Sequence, residues 1–244
     1  MSNDGAPNQN PSPKIVGKSA GGSEIIEYGN TTSSHSRMGF LDHSTLPAIA
    51  ERERVYAELF GSEFQVHHEL LPLIPHVDVY CFPPQGPRPF FTFITGGMSD
   101  LPMQSPPQLG RDARRIELVF YAERANDHEA QQYAELLRSG AHFAHDNQTW
   151  LHWGHTMGNG TPPSPMLGTK NLDTMLFMSS IVHPDSTLGE RLTIEGDPVN
   201  LVWCVPITSA ESRYKLDRGV NALYDVFERV QHPVPFAGDR ESYV

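Results

Sequence analysis

At 244 residues, the chain has room for one generous domain with tails, given roughly 150 residues per domain. Its 18 Lys and Arg against 29 Asp and Glu leave a formal charge of −11 at pH 7. This argues against nucleic acid, whose phosphates are held by clustered Lys and Arg. No run approaches the roughly 18 apolar residues of a membrane span, and Met1 to Asn10 has neither the basic start nor the apolar stretch of a signal peptide. A cytoplasmic protein without membrane contact is expected.

Of the first 36 residues, 21 are Gly, Pro, Ser, Thr or Asn, too few apolar groups to offset the entropy of ordering. Residues 1–44 therefore read as a disordered, low-complexity tail. Its short apolar island, Ile25 and Ile26 beside Tyr28, is taken as spacer, with a docking strand or a binding peptide as the alternatives. The domain runs over residues 45–232, and the Pro- and Gly-punctuated end, 233–244, reads as a second loose tail.

Within the domain, Leu46 to Gly61 reads as a helix with Pro47 in its first turn and Gly61 as its stop. Strands rich in β-branched and aromatic residues follow at Phe64–Leu70, Val77–Phe82, Pro89–Thr95 and Ile116–Tyr121. Val77, Val79 and Cys81 alternate with His76, Asp78 and Tyr80, which predicts one buried face for that strand. After the cap candidates Asn126 and Asp127, a helix spans His128 to Ser139, with Ala130, Tyr133, Ala134 and Leu137 on one side.

A long loop runs from about His145 to Lys170, and loops of that length are functional or packed on themselves. Strands return at Asp173–Met178, Arg191–Glu195 and Val199–Val205, and a last helix covers Arg218 to Gln231 with Asp217 as cap. The order helix, strands, helix, strands, helix predicts a single layered α/β domain of the α+β type, its sheet mixed or largely antiparallel with helices packed on it. Cys81 and Cys204 lie in apolar, strand-like text, which suits buried free thiols better than a disulfide framework, with one bridge between them as the alternative.

For chemistry, the histidines His142, His145, His152 and His155 with Asp146 form two H-x-x-H pairs, a set that suits imidazole-binding metals. No Cys accompanies them and the zincin string is absent, so a His-based metal-dependent hydrolase is kept only as the alternative function. There is no G-x-S-x-G elbow and no phosphate-binding glycine string. The carboxylates Asp78 with Glu117, or Asp100 with Asp112, are not selected by their spacing. No catalytic residue, cofactor or metal is assigned. In ITGGMSD (Ile94–Asp100), an apolar strand runs into two glycines. It reads either as a turn in which Ser99 or Asp100 bonds the loop backbone, or as a partner contact.

Several strings together resemble the Suppressor of fused family, specifically its short bacterial members. They are FPP (Phe82–Pro84), TGGMSD (Thr95–Asp100), RIELVFY (Arg115–Tyr121), HDNQTWLHWGHTMGNGTPPSP (His145–Pro165), GTK from Gly168, and LVWCVPIT (Leu201–Thr208). The resemblance covers about Ala48 to Val230. It implies one α/β domain equivalent to the N-terminal domain of the animal protein, and a family not known for enzymes. The animal protein holds Gli transcription factors by clamping a peptide strand between two domains. Many bacterial relatives look like immunity proteins beside secreted toxins. With one domain the clamp is not expected here, and the implied function is sequestration of a protein partner, a toxin domain above all. Loops on a rigid scaffold carry function disproportionately. The expected contact residues are therefore Met98, Ser99 and Asp100 after the glycine pair, with Trp150, Trp153, His155 and Asn159 in the long loop.

Overall fold

Eight consecutive residues of one strand, RIELVFYA, are buried on both sides, so this strand lies between two helical layers. The computed structural model describes residues 13–28, 46–71 and 73–244. In chain order it contains β1 (Lys14–Lys18), β2 (Glu24–Glu27), α1 (Leu46–Phe60), β3 (Gln65–His67), β4 (Asp78–Phe82), β5 (Phe91–Gly96) and β6 (Arg115–Ala122). Then come α2 (Asp127–Asp146), β7 (Thr156–Gly158), β8 (Leu172–Ser179), α3 (Leu188–Arg191), β9 (Thr193–Ile194), β10 (Asp197–Thr208), α4 (Ser209–Arg218) and α5 (Val220–Arg229).

The main sheet has the order β3-β4-β5-β6-β10-β8-β7, with β9 paired to β10. All its pairings are antiparallel except the central one, where β6 and β10 run parallel from Arg115 opposite Val199 to Val119 opposite Trp203. Side-chain alternation sends Cys81, Phe93, Phe120, Phe177 and Cys204 to one face, against Tyr133, Ala134, Leu137 and Ala141 of α2. Tyr80, Phe82, Ile94, Tyr121 and Trp203 go to the other face, against Val55, Tyr56 and Phe60 of α1 and Leu223 and Phe227 of α5. The predicted mixed, mostly antiparallel sheet with packed helices is the fold observed. Strand β4 differs from its reading in one respect: Tyr80 is buried on the α1 face, so both sides are covered. Cys81 and Cys204 are buried free thiols.

Beyond Trp203 and Val119 the two central strands part: β6 stays with β5, and β10 stays with β8. The C-terminal segment enters this gap. Phe236 donates its N–H to the Tyr121 carbonyl at 2.8 Å and accepts from the Glu123 N–H at 3.0 Å, lying parallel to β6. Farther on, Arg240 binds the buried Glu211 carboxylate at 2.6 and 2.9 Å. The segment read as a loose tail is thus packed, because Phe236 and Tyr243 supply apolar surface that a count of Pro and Gly overlooks.

At the other terminus, residues 14–27 form a hairpin within the stretch read as disordered. Ile15 pairs with Ile26 across the Ser19–Gly22 turn. Gly21 donates to the Leu216 carbonyl at 2.8 Å, which ties the hairpin to α4. Residues 1–12 and 29–45, where the rest of the expected tail falls, lie outside the described residues. No helix among the described residues is long and apolar enough to cross a membrane.

Candidate functional site

Strand β5 ends at Gly96, and the chain turns through Met98–Asp100 in one 3-10 turn. Gly97 adopts φ +117°, and a Cβ there would stand 2.0 Å from the His76 carbonyl oxygen. Only glycine fits that turn against its neighbour. The inner side of the turn is organised by Glu117 of β6. Its carboxylate accepts from the hydroxyls of Thr95 and Ser99, each at 2.6 Å, and from the N–H groups of Gly97 and Ser99, each at 3.1 Å.

Arg52 of α1 pairs with Asp100 and stands 3.9 Å from Glu117. Arg115 donates to the carbonyls of Ser99 at 2.7 Å and Asp100 at 2.9 Å. Burial pushes the Glu117 carboxyl upward, and the Arg52 charge and the two hydroxyl bonds oppose that rise. The structure therefore turns Met98, Ser99 and Asp100 inward: Met98 into the core under α2, the other two into this buried polar network. Of the two readings of ITGGMSD, the geometry has Ser99 and Asp100 tied to their own domain.

The two candidate segments meet. His145 Nε2 lies 3.0 Å from the Met98 carbonyl, Gln104 donates to the Thr149 carbonyl at 3.3 Å, and the Leu151 N–H reaches the Met103 sulfur at 3.5 Å. From this seam the chain emerges as TWLHWGH. Trp150 packs partly buried on the core, edge-on to His155 with ring centres 5.3 Å apart. Its buried Nε1 has no hydrogen-bond partner among the described residues. Trp153 keeps 50% of its surface exposed. Behind it, Gly154 donates to the Phe177 carbonyl at 2.7 Å and Phe177 to the His155 carbonyl at 3.0 Å, which sews the loop to β8. Asn159 braces the outer turn, its Nδ2 donating to the Ser164 carbonyl at 2.8 Å and its N–H to the Asp173 carbonyl at 2.8 Å.

Burial lowers His155 to about 4, with the charges of His152 and Lys215 acting in the same direction, and burial also lowers His152. Lys215 of α4 is itself buried, which lowers its pKa. The carboxylate one turn before it, Glu211, is engaged by Arg240 and by the N–H groups of Thr208 and Tyr243.

Sequence reasoning overlooked Tyr28 as part of this region. Its hydroxyl lies 2.8 Å from Thr149 Oγ1, and its ring meets Phe143 edge-on at 5.0 Å. The signal was an aromatic residue ending an Ile-Ile strand. The histidines of the metal alternative do not gather. His142 Nε2 lies 2.6 Å from Glu69 Oε1 and joins α2 to the loop before β4, while His145 serves the Met98 turn. Among the described residues no three His, Cys, Asp or Glu side chains are placed to hold a metal ion.

Comparison with known proteins places this architecture. The family model for Suppressor of fused protein (SUFU) matches residues 74–240. A chain described as a SUFU homologue from Neisseria gonorrhoeae FA 1090 superposes with a TM-score of 0.51 at 14% identity, over 81% of this chain and 94% of that one. A chain of the Sufu–Fu complex gives 0.52 at 12%, over 80% and 90%. Drosophila Suppressor of Fused gives 0.49 at 15%, over 81% of this chain and 51% of its own length. No curated protein matches the sequence. The structural likeness shows a shared fold, and the family match extends over well more than half of the chain: it belongs to the Suppressor of fused protein family.

Proposed function

We propose that this domain is a non-enzymatic binding module that sequesters a protein partner, and that the partner is a toxin domain neutralised by this chain as its immunity protein. The observation that carries the reading is Trp153, an indole half exposed on a loop whose next two residues, Gly154 and His155, are bonded to Phe177 of β8. A rigid, exposed Trp is the kind of side chain that anchors interfaces. Family membership supports the same reading, since a chain of this fold is found in a Sufu–Fu complex. In the proposed interface Trp153 makes the central contact, with the edges of Trp150 and His155 beside it. Met98, Ser99 and Asp100 hold the seam from beneath, and Asn159 fixes the outer turn.

The net charge of −11 favours a basic partner, raising association rate more than final affinity. The binding unit is the domain 45–232, completed by the packed C-terminal segment.

The test is affinity capture by the tagged protein from its host lysate, with bound proteins identified by mass spectrometry. The expected result is one stoichiometric partner with a basic, toxin-like domain, lost or weakened at least tenfold by Trp153→Ala while the variant unfolds cooperatively. Equal capture by Trp153→Ala removes this surface, and recovery of no protein removes sequestration itself.

A further inference from the structure

Where β6 and β10 part, the C-terminal segment fills the gap incompletely. A cavity of about 150 Å³ remains, walled by Phe120, Trp203, Cys204, His232, Phe236 and Tyr243. We propose that this cavity is a binding site for a single uncharged aromatic ring, of the size of toluene or phenol.

Size sets the first limit. A space of this volume holds one ring of about benzene size, and its mouth opens to solvent, so substituents on the ring can project outward. The walls set the second. Phe120 and Phe236 lie with ring centres 5.5 Å apart, and His232 stacks on Phe227 at 4.5 Å and faces Tyr243 at 5.7 Å. An aromatic guest would therefore meet ring edges and faces on several sides, the arrangement that rings prefer.

Charge sets the third limit. Arg240 reaches the cavity rim, but its guanidinium is committed to Glu211 at 2.6 and 2.9 Å. Asp239 also lines the site, and its carboxylate accepts from the Asn171 N–H at 3.1 Å and from Nδ2 at 3.4 Å. His232 Nδ1 lies 3.2 Å from the Tyr243 hydroxyl, and burial keeps the imidazole neutral near pH 7. An anion entering here would lose water, find the guanidinium already committed to Glu211 and meet the uncompensated Asp239 carboxylate, so a neutral guest is favoured over an anion.

The segment Pro233–Gly238 forms one wall. It is held to β6 through two backbone hydrogen bonds at Phe236, so guest binding and the seating of this segment are coupled. The site lies at the sheet split, apart from the Trp153 surface, and does not depend on the sequestration reading.

The experiment is NMR titration of the full-length protein with p-cresol, N-acetyl-phenylalaninamide and benzoate. p-Cresol is expected to give saturable one-to-one shifts at the Trp203 indole and the methyls of Val205 and Ala237, with NOEs to Phe236 and a midpoint at roughly millimolar or below, as suits a guest of eight heavy atoms. Cys204→Met, which enlarges a buried side chain at a lining position, should raise that midpoint at least tenfold. Saturation by p-cresol alone assigns the site to free ring compounds, and saturation by the amide as well assigns it to rings that a peptide can deliver; both support the site. Absence of saturation by either, or NOEs placing the ring elsewhere, overturns it in the wild-type protein even if the variant fails to fold. Benzoate binding as tightly as p-cresol overturns the preference for a neutral guest.

Discussion

Glu117 and Glu211 face the same physical problem at different places in the fold: a carboxylate fully out of water must be supplied with donors. Glu117 is answered by hydroxyls and backbone N–H groups of the Gly97–Ser99 turn. Glu211 is answered by a guanidinium brought in from residue 240. Removing one partner of such a pair costs more than the pair contributes, because the other charge stays buried and unmatched. Arg240→Ala is therefore expected to lower unfolding free energy by about 3 kcal/mol in a urea titration. The double variant Arg240→Met with Glu211→Leu should lose distinctly less.

His155 and His232 act in the opposite sense, since both are buried and lowered to about 4. The unfolded chain takes up these protons near pH 6.5, while the folded chain resists until about pH 4. The unfolded state thus binds more protons within that window, and stability falls as pH drops through it. Thermal melts from pH 7 to 4.5 should show this slope, and His155→Phe should flatten it; an unchanged slope in that variant would exonerate His155.

Elements differed in how openly the sequence declared them. Helix α2 was legible from its period as far as Ser139 but runs on to Asp146, past the start of the stretch read as a long loop, and its Asn126 and Glu129 form a reciprocal capping box. Helix α4 carries the same signature in Thr208 and Glu211, yet the reading ended the strand at Val205, opened the last helix at Arg218 and left the residues of α4 between them unassigned. Thr208→Ala should cost about 1 kcal/mol, measured by chemical denaturation. A neutral result would mean that Arg240 alone positions Glu211. Strand β7 was hidden in a stretch of Gly and Pro because three residues show no period. Segment Arg191–Glu195, read as a strand, divides into the end of α3 and the two-residue β9.

At the candidate site, the loop around Trp153 was legible as a long, aromatic, structure-poor stretch. The inward turn of Ser99 and Asp100 was not. It is dictated by Glu117 and Arg52, and neither separation is one that local periodicity records.

On the scale of the whole molecule, the sheet's centre is assembled from distant parts of the chain. Strand β6 ends at Ala122, whereas its parallel neighbour β10 begins at Asp197. Until residues 197–203 are present, β6 is an open edge, and its residues Arg115–Ala122 are all buried in the finished fold. Such an edge is a template for pairing with another chain. During synthesis the ribosome exposes this strand while the residues that will cover it are still being added, so for that interval its apolar edge has no partner strand on the β10 side. A fragment ending at Gly196 is expected to be recovered as large assemblies by light scattering, and a chain extended through Thr208 to remain dispersed for longer. If the shorter fragment stays monomeric, the first strands protect themselves, and the central parallel pair is a late addition to a stable half rather than the step on which solubility depends.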